Sequence, residues 1–135
     1  MAEQTITPYL VVPEVPKLIE FLGTVFGGEV IMGPMKREDG SVMHAQVQIR
    51  DMSVMMGEPM ADGEGMPAML YIYVDDCDAH YEKAIAAGAT SIMPPEDQPH
   101  GDHYCGIKDP CGNQWWIAQV LTEMDRKEIE QAYDQ

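Results

Sequence analysis

The chain has 135 residues and carries 23 Asp and Glu against 8 Lys and Arg, a formal net charge of −15 at neutral pH. That charge repels phosphate backbones and anionic lipid surfaces, so neither nucleic acid nor membrane is expected as a partner. The longest apolar run, around AMLYIYV, falls far short of the ~20 residues of a membrane span, and no basic segment precedes a long apolar stretch at the amino end, so no address or anchor is expected.

Taken along the chain, two stretches read alike: YLVVPEVPKLIEFLGTVFGGEVI, residues 9–31, and YIYVDDCDAHYEKAIAAGATSI, residues 71–92. Each is a short apolar strand, an acidic helix opening, a glycine stop and a second strand, which makes a tandem repeat offset by about 61 residues. In the first copy the alternation predicts a strand over 5–12 and the 3.6-residue spacing of Val15, Leu18, Ile19, Leu22, Val25 and Phe26 predicts a helix over 14–26. Pro13 and Pro16 suit its first turn, and Gly27 and Gly28 end it. Strands over 29–35 and 42–50 flank the Asp39-Gly40 hairpin signal, and a further strand over 53–57 completes a βαβββ module spanning 5–58.

The Gly-, Pro- and Met-rich EPMADGEGMP is a loop between halves, neither of which has a core of its own. Module two, 68–120, repeats the pattern: a strand over 69–74, a helix over 76–87 capped by Gly88, strands over 91–93 and 103–108, the DPCGN turn, and a strand over 114–120. Thr122, with Asp125 three residues on, resembles a capping box and predicts a terminal helix over 123–133. The fold class is α+β: two βαβββ modules forming cupped mixed sheets with helices on the outer face, plus a C-terminal helix, in one domain over 1–135.

Strand alternation sorts the two faces. Leu10, Val12, Ala45, Val47, Ile49, Val54, Met56, Leu70, Ile72, Val74, Trp115 and Ile117 belong under the helices. Thr7, Tyr9, Val11, His44, Gln46, Gln48, Met55, Met69, Tyr71, Tyr73, Trp116 and Ala118 belong on the opposite, mixed face, which is the pocket candidate.

On FLGTVFGGEV, HAQVQI, YIYVDD, AAGA and KDPCGNQWWI, in that order over nearly the whole chain, the sequence resembles the vicinal oxygen chelate superfamily, which includes glyoxalase I, the extradiol dioxygenases and the bleomycin resistance proteins. It looks closest to the small bacterial glyoxalase-like branch that carries a DPFGN-type turn before a Trp-containing strand. The resemblance implies a cupped sheet per module, a site inside the cup and a homodimer that completes it. It also implies metal ligands, His or Glu, on the first and last strand of each module. Those places fall at Thr7, Met55, Met69 and Trp116, and none is a His or carboxylate suited to a divalent metal.

The candidate ligand-binding set is therefore Tyr9, His44, Gln46, Gln48, Met55, Met69, Tyr71, Tyr73 and Trp116, whose π-faces and thioethers suit a small aromatic or cationic organic molecule. Two of the twelve methionines fall in that set, and the bland alternative is that these side chains pack one another or a dimer interface. His44 is the best candidate for a catalytic base, against a structural histidine bonded to a neighbour such as Gln46. A displaced site for a divalent metal at His44, His100 and His103 is the alternative for a glyoxalase-type lyase, isomerase or dioxygenase; otherwise no cofactor is expected. Cys77, Cys105 and Cys111 form no C-x-x-C pair, which argues against a disulfide framework or structural zinc and for a reducing cytoplasm. They read as packing thiols.

Overall fold

A computed structural model of the chain describes residues 4–134. The elements run β1 (Tyr9–Val11), α1 (Val15–Phe26), β2 (Glu29–Lys36), β3 (Val42–Ile49), β4 (Met52–Gly57), β5 (Met69–Tyr73), α2 (Cys77–Ala86), β6 (Thr90–Asp97), β7 (Asp102–Lys108), β8 (Gln114–Val120) and α3 (Arg126–Ala132). They form two four-stranded sheets of identical topology, β1-β4-β3-β2 and β5-β8-β7-β6. In each, the first strand pairs parallel to the last and the other pairs are antiparallel. The helix supplies the crossover that a parallel pair needs.

Several element boundaries depart from the expectation for physical reasons. β1 starts at Tyr9 rather than residue 5 because the side-chain amide of Gln4 acts as a peptide substitute. Its Nε2 donates to the Ser53 carbonyl at 3.1 Å and its Oε1 accepts from the Ser53 N–H. β6 runs to Asp97 through Pro94 and Pro95, which an edge strand tolerates because its outer N–H groups need no partner. The capping box of α3 is Asp125 with Glu128, not Thr122 with Asp125. Thr122 is occupied elsewhere, its N–H donating to the Gly101 carbonyl at 3.0 Å.

Both sheets turn their aliphatic faces to the helices, and one core runs through the two modules. Phe26, at the end of α1, lies 5.1 Å from Trp115 of β8 and stacks on His80 of α2 at 6.0 Å, so the modules meet through helices and the helix side of the second sheet. His80 is thereby half-buried. Helix α1 buries Val15, Leu18, Phe21, Leu22, Val25 and Phe26. At roughly 1.5–3 kcal/mol for each large apolar side chain, that packing outweighs a cap worth about 1 kcal/mol. α1 accordingly does without a side-chain cap of its own: Glu14 at its N-cap sits at φ 54 and makes no capping bond.

The free N–H at each helix start is instead taken by the residue after, or near the end of, the last strand of its module. Glu58 accepts from the Val15 N–H at 2.8 Å, and from the Val42 N–H at 2.7 Å; Gln119 accepts from the Cys77 N–H at 3.0 Å. The repeat thus extends to a shared cross-module device, a polar side chain on the sheet that stops the helix start from being an unpaired donor.

The DPCGN turn is a buried node. Asp109 accepts from the Cys111 N–H (2.8 Å), the Asn113 N–H (3.0 Å), the Asn113 side-chain amide (2.9 Å) and the Trp115 indole (2.8 Å), while Asn113 accepts from the Ala68 N–H at the entry to β5. On the outer side of β7, His103 bridges β6 and α2, its Nδ1 2.7 Å from Asp97 and its Nε2 2.9 Å from Asp78. The hydrogen bond to Asp78 leads in raising its pKa above the ordinary value, against an opposing contribution from burial.

Two outcomes are expected. A buried donor left unpaired costs about 1–3 kcal/mol, so Asp109→Ala should lower the unfolding free energy by at least ~3 kcal/mol in urea denaturation, and Asp109→Asn by less. A loss under ~1 kcal/mol would show that the node does not hold the turn. For His103, the folded state binds the extra proton between the unfolded and folded pKa values. Its contribution is complete below the unfolded value of ~6.5 and is lost as pH rises through the folded value. As pH rises from about 6.5 through the folded value the urea midpoint should fall more steeply for the native protein than for His103→Gln, and parallel slopes would refute the clamp.

Candidate functional site

The pairing register places the cup faces. In the first sheet Tyr9 lies opposite Met55, Met55 opposite Gln46, and Gln46 opposite Met32, while His44 lies opposite Met35. In the second, Tyr71 lies opposite Trp116, Trp116 opposite Gly106, and Met93 opposite Gly106 in turn; Tyr104 pairs with Ala118 and Asp102 with Val120. Every ligand-set residue inferred from strand alternation therefore faces a cup. The set divides, however: Tyr9, His44, Gln46, Gln48 and Met55 line the first sheet, and Met69, Tyr71, Tyr73 and Trp116 line the second. No hydrogen bond or ring contact among the described residues joins the two groups.

The two half-cups differ in what they leave free. In module one the polar groups are satisfied locally. The Tyr9 hydroxyl lies 3.1 Å from His44 Nδ1, Gln46 donates to the Ser53 hydroxyl at 2.8 Å, and Gln48 donates to the Arg50 carbonyl at 2.7 Å. The partner of His44 is thus Tyr9 rather than Gln46. A cleft of about 270 Å³ beside Tyr9, bordered by Met43 and the 57–64 segment, includes Arg37. That guanidinium is already bonded to the Ser41 hydroxyl and the Glu58 carbonyl.

In module two the indole of Trp116 lies flat on Gly106. A Cβ at that glycine would come within 2.7 Å of the six-membered ring, so the bare backbone of β7 is what admits the indole. Tyr104 closes on it at 5.4 Å, Tyr71 lies 6.0 Å from Tyr104, and Tyr73 lies 5.4 Å from Tyr71. These four rings form a continuous aromatic wall. Within it the Trp116 indole N–H is buried without a hydrogen-bond partner. A buried donor left unpaired is costly.

At the edge of the wall stands a carboxylate that strand reading did not assign to the cup. Asp102 is 6% exposed and accepts at Oδ2 from the Tyr71 hydroxyl (3.3 Å), with His100 Nε2 3.2 Å from the same oxygen. His100 Nδ1 meets the Tyr133 hydroxyl beyond α3. Burial, and then the Asp102 charge, push the Tyr71 phenol well above its ordinary pKa, and the same two causes raise Tyr73. Both remain hydrogen-bond donors at neutral pH. An open cleft of about 430 Å³ lies between this group and the start of the tail, lined by Tyr73, His100, Asp102, Val120, Met124 and Ile129 among others. The missed signal was the GD dipeptide: the strand begins one residue before His103, which reverses neither face but adds Asp102 to the cup.

The histidines offered as a displaced metal site are not brought together. His44 is on the first sheet with Tyr9, His100 is beside Asp102, and His103 points to the opposite side of β7, between Asp97 and Asp78. The positions where the superfamily resemblance places metal ligands hold Thr7, Met55, Met69 and Trp116, and a thioether pair with an alcohol and an indole does not fit a divalent ion bound by imidazole and carboxylate. Among the described residues no group of three or more His, Cys, Asp or Glu is placed to hold a metal. Cys77, Cys105 and Cys111 are free and buried. Burial raises all three thiols, Cys111 to about 11, which keeps them protonated and unreactive. No helix among the described residues is long and apolar enough to cross a membrane.

Comparison with known proteins agrees with this architecture. An uncharacterized protein of Mycobacterium bovis is 32% identical over 96% of this chain and 92% of its own length, and an uncharacterized protein of Mycobacterium tuberculosis H37Rv is 32% identical over 96% of this chain and 82% of its own. Among solved structures, TioX from a Micromonospora species superposes with a TM-score of 0.66 at 21% identity, covering 90% of this chain and all of TioX. A glyoxalase-related enzyme from Fulvimarina pelagi superposes at 0.69 with 18% identity, covering 87% of this chain and 88% of that one. These structural likenesses concern the fold. The family model for the glyoxalase/bleomycin resistance protein/dioxygenase superfamily matches residues 4–117. With its two βαβββ modules and paired half-cups, the chain belongs to that superfamily.

Proposed function

We propose that the protein binds a small aromatic or cationic organic molecule against the module-two half-cup, without a metal and without turnover. The observation that carries this reading is the aromatic wall of Trp116, Tyr104, Tyr71 and Tyr73 with an unpartnered indole N–H inside it. Stacking and cation–π contacts need only such faces, at about 0.5–2 kcal/mol each. Metal independence is supported by the chemistry of the side chains at Thr7, Met55, Met69 and Trp116. Absence of turnover is supported by the local pairing of His44 with Tyr9 and the burial of every thiol.

The active form in this reading is a homodimer. Each half-cup is one wall, and its rim residues are solvent-exposed: Met69 at 68%, Tyr73 at 54% and Tyr71 at 45% on the second sheet, Met32 at 48% and Tyr9 at 43% on the first. A second copy that sets its module one across from module two supplies the opposite wall and covers these side chains.

The test is a titration of tryptophan emission with a panel of aromatic amines and neutral aromatic compounds. Trp115 is buried in the core, so a ligand-dependent change reports Trp116. Trp116→Phe should abolish the change and weaken binding measured by calorimetry roughly three- to thirtyfold, the equivalent of one lost stacking contact. If no compound alters the emission and Trp116→Phe changes only the oligomeric state in sedimentation, the cup is an interaction surface instead. Elemental analysis of protein purified without chelator addresses the metal. A stoichiometric divalent ion lost on His44→Ala would replace this reading with the lyase or dioxygenase one.

A further inference from the structure

Resting on the small-molecule reading above, we propose that the cleft between the module-two half-cup and the C-terminal tail is a cation subsite. In it Asp102 is the counter-ion for an ammonium group of the ligand, Glu123 is an outer carboxylate, and Tyr73 is the flanking π-face.

A buried carboxylate in a chain of this kind is normally matched by Lys or Arg, because desolvating the charge alone is costly. Asp102 has neither: its ion-pair partner within 4 Å is His100. His100 is itself held between two groups, its Nε2 toward Asp102 and its Nδ1 toward the Tyr133 hydroxyl. The phenol of Tyr71 is a neutral donor. Asp102 is thus oriented by the His100 imidazole and the Tyr71 phenol, with the Tyr73 hydroxyl also turned toward it and no Lys or Arg beside it. Both contacts fall on Oδ2, so Oδ1 is free of these two donors.

The cleft itself has one sign. Its lining includes Asp102 and Glu123 and no Lys or Arg, with Val120, Met124 and Ile129 as apolar walls. An anion is disfavoured by charge, and a neutral donor gains a hydrogen bond there but no ion pair. A primary or quaternary ammonium fits: it pairs with Asp102, meets the face of Tyr73, and projects its aromatic substituent along the wall toward Trp116. The tail is tied down beside the cleft by backbone bonds rather than by burial. The N–H groups of Leu121 and Thr122 both reach the Gly101 carbonyl at 3.0 Å, and α3 buries none of its residues.

Phenethylamine and 2-phenylethanol, which share a ring and a chain length and differ in charge, are the probes. In calorimetry at low salt the native protein should bind the amine at least about tenfold more tightly than the alcohol. In Asp102→Asn that preference should collapse to within about twofold while the alcohol's affinity is unchanged. Equal binding of the two probes by the native protein, or a preference that survives Asp102→Asn, overturns the subsite and leaves the aromatic wall standing. If neither probe binds, the aromatic-pocket reading falls with it. Should Asp102→Asn fail to fold, Ile129→Trp replaces it, since α3 is exposed and the larger ring fills the cleft. Loss of the amine preference then supports the subsite, and its retention overturns it.

Discussion

Trp115 and Trp116 are adjacent in a strand, so fixing one fixes the other on the opposite face. What fixes Trp115 is the bond between its indole and the Asp109 carboxylate at 2.8 Å, with Phe26 against its ring. The same carboxylate folds the turn that brings β8 back beside β7. Register, turn and inter-module core therefore share one buried group. Because that group holds Trp115 in the core, Trp116 has no choice but the cup, where Gly106 leaves room for it. A slip of one residue would exchange the two indoles and every other side chain along β8.

The duplicated modules use the same scaffold for different contents. Glu58 and Gln119 occupy corresponding places and do the same work at the starts of α1 and α2. At the cup positions the copies diverge: Met55 corresponds to Trp116, Gln46 to Gly106 and His44 to Tyr104, by their pairing partners. In module one His44 and Gln46 are bonded across strands, to Tyr9 and Ser53. In module two the replacements produce adjoining rings and an unpartnered N–H. The scaffold is symmetric and the chemistry is concentrated on one side.

Most of this was legible from the residues because it is local. A period of two along HAQVQI or QWWIAQV assigns faces without any knowledge of the partner strand, and the faces so assigned to His44, Gln46, Trp115 and Trp116 are the ones found. What was not legible depends on contacts far apart in sequence. The start of β1 was misread because a glutamine side chain, Gln4, takes the place of backbone beside Ser53. His103 reads as a strand-start histidine with no stated face, and only the positions of Asp78 and Asp97 make it a clamp on the outer side. Asp102 falls outside the strand expected over 103–108 because the bonds that draw Gly101 against the tail come from residues 121 and 122.

The two buried aspartates show how burial alone underdetermines role. Asp109 receives hydrogen bonds on both oxygens, all from N–H groups of its own turn and strand, and nothing remains for a ligand. Asp102 is buried to a similar degree, 6% exposed against 4%. Yet its contacts to Tyr71 and His100 gather on one oxygen, and it borders an open cleft. A carboxylate saturated by backbone and indole donors is a structural part whose charge is dispersed over the groups it organises. One oriented by a phenol and an imidazole borders a cavity lined by no Lys or Arg. In a chain of net charge −15, the surface acids repel anions at long range, and in the proposed subsite this inner acid would select at contact distance. The two act on the same property of a ligand at different ranges, which is why the cation subsite and the acidic exterior belong to one explanation.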